Sequence, residues 1–229
     1  MTITFLSQSL DFPHPCQAGP DGLLAIGGDL SPSRLLAAYS RGIFPWYSSG
    51  SPILWWFPDP RLVLFPRNLH IPKSLRRLLN KGKFTITADQ AFENVIKYCA
   101  RVSRPGGYGT WLVPEMIDAY TRLHHLGYAH SFEAWYRGRL AGGIYGVAMG
   151  QVFFGESMFY KISGASKVAM IHLCAYLQQQ GYFFMDCQQT TNHMLGFGAV
   201  ELSRSTFLHH LHQGLKCGIK NKHWEYEYS

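Results

Sequence analysis

Acidic residues are scarce in this chain, so each one carries information. Against 21 Lys and Arg stand 14 Asp and Glu among 229 residues, and charged residues make up only 15% of the total. Cysteine is sparse as well. Cys16, Cys99, Cys174, Cys187 and Cys217 are odd in number and form no C-x-x-C pair, which excludes a disulfide framework or a zinc ribbon and fits reduced thiols. No apolar run approaches the ~20 residues of a helical membrane span, so no membrane partner is expected. Low-complexity tracts and internal repeats are missing, which points to an ordinary folded chain. The start, M-T-I-T-F-L-S-Q-S-L-D-F, lacks the basic residues and cleavage site of a signal peptide, and the expected location is cytoplasmic. Gly142, Gly143 and Gly146 fall within a strand pattern rather than between strand and helix. They make no dinucleotide loop and are expected to permit close backbone approach. His209, His210 and His212 have no acid or Cys at matching spacing, so neither a metal nor a cofactor is expected.

What is present begins with the charge surplus. A formal net charge of +7 favours an anionic partner, nucleic acid first among them. The densest basic stretch is P-K-S-L-R-R-L-L-N-K-G-K, where Lys73, Arg76, Arg77, Lys81 and Lys83 accompany Leu75, Leu78 and Leu79 of a short helix. Five cations without an acid are either a solvated face or a phosphate-binding one.

Two patterns divide the chain into an expected small N-terminal domain, 1–62, and a larger domain, 63–229. The first part is rich in Pro, Gly and Trp and holds one clear helix, with Ser31 as N-cap and Pro32 at its first position. In the second part Thr87 and Gln90 have capping-box spacing before a helix with Phe92, Val95, Ile96 and Cys99 on one side. Pro114 opens another helix, whose apolar face is Met116, Ala119, Tyr120 and Leu123, and Gly127 ends it. Strands over 129–136, 140–149 and 151–158 form an antiparallel meander. A helix over 165–179, a strand over 182–188 and a helix over 205–215 complete an α+β fold.

Glu156 and Asp186 sit in the apolar runs V-F-F-G-E-S-M-F and Y-F-F-M-D-C-Q, with no evident neutralising neighbour. Burying an unpaired ionised group is unfavourable by several kcal/mol, about enough to shift its pKa instead, so the two acids are the first place to look for function. The structural alternative is an ion pair, of Glu156 with Lys167 or Arg204. Glu156 and Phe153 can share a site only if the strand is bulged, which Gly155 permits.

The strings G-L-L-A-I-G-G-D-L-S, Y-S-R-G-I-F-P-W, I-L-W-W-F-P-D-P-R, G-T-W-L, G-G-I-Y-G-V, F-F-G-E-S-M-F and M-D-C-Q follow one another in order. Together they resemble the leucyl/phenylalanyl-tRNA protein transferase family, from about Gly22 to Trp224. The resemblance implies a bacterial enzyme that moves Leu, Phe or Met from aminoacyl-tRNA to the N-terminal Arg or Lys of a protein, marking it for N-end rule degradation. It also implies a larger lobe like the acyl-CoA N-acetyltransferases, with a mixed, mainly antiparallel sheet flanked by helices. A monomer is expected. The rivals are a CoA-dependent N-acetyltransferase, for which K-I-S-G-A-S-K offers a single Gly where a pyrophosphate loop is needed, and a non-catalytic RNA-binding module.

Such a transfer needs positioning, deprotonation of an amine and oxyanion stabilisation. Asp186 is the expected base, with Gln188 about 7 Å away on the same strand face orienting the amine; proton relay by the substrates themselves would use the same residues for positioning alone. Glu156 is expected to bind the basic acceptor. Met170, Leu173, Cys174 and Leu177 recur at helical spacing, which alone reads as core. The resemblance places the donor's pocket there, completed by Ile144, Phe153, Met158 and Met185. Leu173 stands where the family's better-known members have Phe. Trp46 and Trp111 match family tryptophans that stack the terminal adenosine, while Trp55 and Trp56 read as core between the lobes.

Overall fold

Two sheets organise the computed structural model, which describes residues 3–102, 112–216 and 223–228. The smaller is ordered β1-β2-β4-β3, from β1 (Thr4–Leu6), β2 (Leu23–Gly27), β3 (Phe44–Pro45) and β4 (Leu54–Trp56). Helix α1 (Pro32–Tyr39) belongs to the same stretch, and the Ser31 hydroxyl accepts the Arg34 N–H as the expected cap. The larger sheet is ordered β11-β5-β10-β9-β8-β7-β6-β12. Its strands are β5 (Arg61–Leu64), β6 (Thr85–Ala88), β7 (Ala129–Tyr136), β8 (Arg139–Met149), β9 (Val152–Tyr160), β10 (Phe184–Gln188), β11 (Val200–Leu202) and β12 (Glu227–Tyr228). Among the described residues of this larger sheet only β9 and β10 pair in parallel, with α5 (Ala165–Gln179) as the crossover that a parallel pair requires; in the smaller sheet β1 and β2 also pair in parallel. The expected α+β class, with a mixed and mainly antiparallel sheet, is therefore what forms. No described helix is long and apolar enough to cross a membrane.

Alternation along the strands sends successive residues to opposite faces. One face packs Phe132, Ile144, Phe153 and Met185 against α5. The other packs Tyr145, Phe154 and Phe184 beneath α3 (Phe92–Cys99), α4 (Pro114–His125) and α7 (Arg204–Leu215). The buried faces of α3 and α4 are the residues expected from periodicity. The α3 cap is not. Thr87 lies in β6 and donates its hydroxyl to the buried Glu133, while α3 follows Ala91 with no side-chain cap. A carboxylate in a low-dielectric interior binds the hydroxyl more strongly than an exposed helix end does. Two short helices, α2 (Lys73–Asn80) and α6 (Asn192–Leu195), complete the chain order.

Two bulges shape the site. Between β8 and β9, Tyr145 faces Ser157 while Gly146 faces Gly155, so Glu156 is the extra residue. The bulge that a shared site would need is therefore present, but Phe153 packs against α5 as core and does not reach the cavity that Glu156 lines. Gly146 makes the bulge possible, since a Cβ there would overlap the Phe154 carbonyl oxygen and the Phe153 ring. On β10, Asp186 faces Val63 and Gln188 faces Leu62, leaving Cys187 unpaired and Gln188 at φ +63°.

Candidate active site

Each bulge turns a polar side chain toward one cavity of about 240 Å³. Glu156, the extra residue of β9, accepts hydrogen bonds from the Tyr39 hydroxyl at 2.7 Å, the Tyr120 hydroxyl at 3.1 Å and Gln188 Nε2 at 3.0 Å. Tyr39 ends α1 and Tyr120 lies on α4, so three separate elements fix one carboxylate. Neither Lys167 nor Arg204 pairs with it. Burial pushes Glu156 up from 4.5 to about 7; the two tyrosine hydrogen bonds oppose that rise, and the nearby Asp186 charge adds to it. Burial beside Glu156 raises both phenols well above their usual value. They remain protonated donors at neutral pH.

Asp186 is not the solitary charge its sequence context implied. It is fully buried, and Arg61 grips it along one edge of the guanidinium: Nε donates to Oδ1 at 2.8 Å and Nη2 to Oδ2 at 2.6 Å. Arg61 is itself fully buried, donates to the Gly42 carbonyl at 2.7 Å, and lies against the rings of Phe44, Phe57 and Phe207. The Asp186 carboxylate instead organises backbone. Its Oδ1 accepts the Gln188 N–H at 2.9 Å, which holds the positive φ that aims Gln188 at Glu156. The expected side-by-side Asp186 and Gln188 pair on a regular strand is thus replaced by a bulge, with Gln188 facing the cavity and Asp186 behind it.

Of the residues expected at the site, Trp46, Ile144, Glu156, Met158, Met185 and Gln188 share the cavity wall. Phe153, Met170, Leu173 and Leu177 do not; they are buried between the sheet and α5 as packed core, the reading periodicity favoured. Trp111 lies outside the described residues. Trp46 is partly exposed, at 37%, with its ring 5.6 Å from that of Trp56. Trp55 is core, and its indole N–H donates to the Gly27 carbonyl. Lys73, Arg76, Arg77, Lys81 and Lys83 are all exposed, on and just after α2, away from the cavity wall.

Sequence reasoning missed Arg61, Tyr39, Tyr120 and the wall residues Thr191, His193 and Met194. A cue existed for the last group: Thr191 caps α6, its hydroxyl accepting the Met194 N–H. Cys187 also reaches the cavity, but burial and the Asp186 charge push its thiol well up, which keeps it in the protonated, less reactive form. A second buried acid, Glu133, is also raised to about 7 by burial; Ser131 and Thr87 satisfy it, and it lies apart from the cavity.

Residues 63–212 match the family described as leucyl/phenylalanyl-tRNA protein transferase, and residues 28–59 match the N-terminal domain of the same enzymes. A leucyl/phenylalanyl-tRNA protein transferase of Oleidesulfovibrio alaskensis is 56% identical over 230 residues, covering 98% of this chain and 93% of the relative. Its counterpart in Nitratidesulfovibrio vulgaris is 58% identical, covering 93% of this chain and 91% of its own. Among solved structures, L-PGS from Bacillus licheniformis superposes with a TM-score of 0.42 at 14% identity, covering 74% of this chain and 54% of that one.

Proposed function

Because the chain belongs to the leucyl/phenylalanyl-tRNA protein transferase family, we propose that the cavity beside Trp46 is where it joins an amino acid carried by tRNA to a protein. The enzyme is an aminoacyltransferase whose substrates are aminoacyl-tRNA and a protein. The finer assignments are our reading. The donor is Leu, Phe or Met, and its side chain lies against Ile144, Met158 and Met185. The acceptor is a protein with N-terminal Arg or Lys, and the product is an N-end rule degradation signal. The enzyme works as a cytoplasmic monomer, with a small domain over 1–62 and a catalytic domain over 63–229. In support of that division, the first sheet ends at Trp56 and the second starts at Arg61.

One observation carries the proposal: a carboxylate held near pKa 7 and an amide, both at the wall of an apolar cavity, next to a partly exposed tryptophan. The acceptor's neutral α-amine attacks the ester carbonyl carbon and forms the C–N bond. Glu156 takes the proton that the nitrogen sheds, which a base titrating near the working pH does best. Gln188 spends one amide hydrogen on Glu156 and leaves its carbonyl oxygen to accept from the amine. When the tetrahedral intermediate collapses, the C–O bond to the ribose breaks and the proton passes from Glu156 to the departing oxygen. Asp186 acts as a positioning residue: with Arg61 it holds the bulge that presents Gln188. The acceptor's side-chain cation is drawn to Glu156, the carboxylate at the cavity wall.

The direct test is transfer of labelled Phe from Phe-tRNA to a peptide beginning with Arg. Label on the peptide is expected, and none with the intact chain overturns the reading. The stacking role assigned to Trp46 has its own test. A base on an aromatic ring is worth about 1 to 3 kcal/mol, so Trp46→Ala should raise the KM for Phe-tRNA roughly tenfold or more while kcat changes little. An unchanged KM removes Trp46 from donor binding.

A further inference from the structure

Next to the apolar cavity is a second, more open one of about 630 Å³, and Met158 and His193 belong to the walls of both. The two differ in character. The second is lined by Arg101, Lys161 and Lys167 beside Tyr98, with no acid among its described lining residues. Lys161 Nζ stands 3.4 Å from the centre of the Tyr98 ring, and the Arg101 guanidinium is 5.9 Å from the same ring. Tyr98 therefore gathers two cations on one platform, while among the described residues no carboxylate lies within ion-pair distance of Arg101, Lys161 or Lys167. Like charges collected in a concavity without a counter-ion repel one another, and an anion entering between them relieves that repulsion.

We propose that this basic cavity holds the last internucleotide phosphate of the donor RNA, the one joining the terminal nucleotide to its predecessor. The inference rests on reading the first cavity as the aminoacyl site. Aminoacyl group, terminal ribose and phosphate follow one another along the strand, so an anion site sharing a wall with the aminoacyl pocket lies where the chain must run. The shared wall marks the ribose. Burial and the Lys167 charge lower the His193 pKa, so its imidazole is neutral at pH 7 and can accept a hydrogen bond from a hydroxyl. The basic path then continues: Lys167 is in the first turn of α5, and Leu78 of α2 packs on Gly164 just before that turn. The exposed cations of α2 are thus placed to meet the next part of the strand.

Three donors separate the contributions: Phe-tRNA, phenylalanylated CCA trinucleotide, and phenylalanyl-adenosine, which has no phosphate. Lys161 and Lys167 are exposed, so Lys161→Gln with Lys167→Gln leaves the core untouched. In this double variant the ratio of kcat/KM for the trinucleotide to that for the adenosine donor should fall at least fivefold. The salt dependence of trinucleotide binding should flatten by about 0.7 in log–log slope for each phosphate the protein no longer neutralises. The charge-preserving pair Lys161→Arg with Lys167→Arg should keep most of the ratio. Neutralising Lys73, Arg76 and Arg77 should weaken Phe-tRNA and leave the trinucleotide ratio alone. An unchanged ratio in the Gln variant, or equal losses on both short donors, overturns the proposal. Failure of the unaltered enzyme with every donor instead strikes at the transferase reading beneath it.

Discussion

Arg61→Met is expected to destabilise the fold by about 3 to 5 kcal/mol, because it leaves the Asp186 carboxylate buried without its partner. Both side chains are fully buried and joined by two hydrogen bonds, so water cannot take the place of the guanidinium. The double variant Arg61→Met with Asp186→Leu should recover most of that loss, since replacing a whole buried pair by apolar groups of similar volume is often neutral. Urea denaturation of the two single variants and the double measures the coupling. Turnover should behave differently. In the double variant Gln188 still lacks the carboxylate that holds its backbone N–H, so kcat should stay low while stability returns. Recovery of both together would show that Asp186 serves stability alone; a single-variant loss below about 1 kcal/mol would show that the pair is not dry.

What the sequence discloses about this molecule is what short-range patterns encode. Periodicity finds α5 at its observed ends, finds the buried faces of α3 and α4, and places the meander β7 to β9 to within about two residues. A bulge at Glu156 is expected if Phe153 is to share its site; the bulge forms, with Gly146 rather than Gly155 at the close approach, while Phe153 stays in the core. The grip on Asp186 is of another kind. Arg61 lies 125 positions away and meets it only because β5 pairs with β10. Nothing local marks Arg61 except a cation at the head of the apolar run R-L-V-L-F. Tyr39 and Tyr120 are likewise brought to Glu156 by packing between helices remote in sequence. The pocket shows the same division. Met170, Leu173 and Leu177 obey helical spacing because they are core, and spacing cannot tell a core stripe from a cavity wall. Family likeness drew them into the site together with Ile144, Met158 and Met185, and of these only the last three line its wall.

Glu156→Gln carries the second large effect, and its pH dependence is what makes it diagnostic. Removing the base should lower kcat by about 10²- to 10⁴-fold, with little change in the KM for aminoacyl-tRNA, which contacts other walls. In the unaltered enzyme, activity should rise as pH climbs through about 7, because Glu156 loses its proton there. A further rise follows near pH 8 as the acceptor's α-amine becomes neutral. The Gln variant should keep only the second rise. Stability runs the other way. The folded-state value of Glu156 is raised from 4.5 to about 7, so between these limits the folded chain binds a proton that the unfolded chain has released. Its stabilising contribution is therefore complete below about 4.5 and lost as pH rises through about 7. Glu133 has the same sign over the same window, so Glu156→Gln should remove roughly half of the decline due to these two groups, read by urea denaturation between about pH 4.5 and 7.5. Loss of the lower activity inflection together with that half of the decline places Glu156, rather than Glu133, in the chemistry. If the variant turns over at the normal rate and keeps the lower inflection, the proton leaves the amine by another route, with the substrates' own groups relaying it.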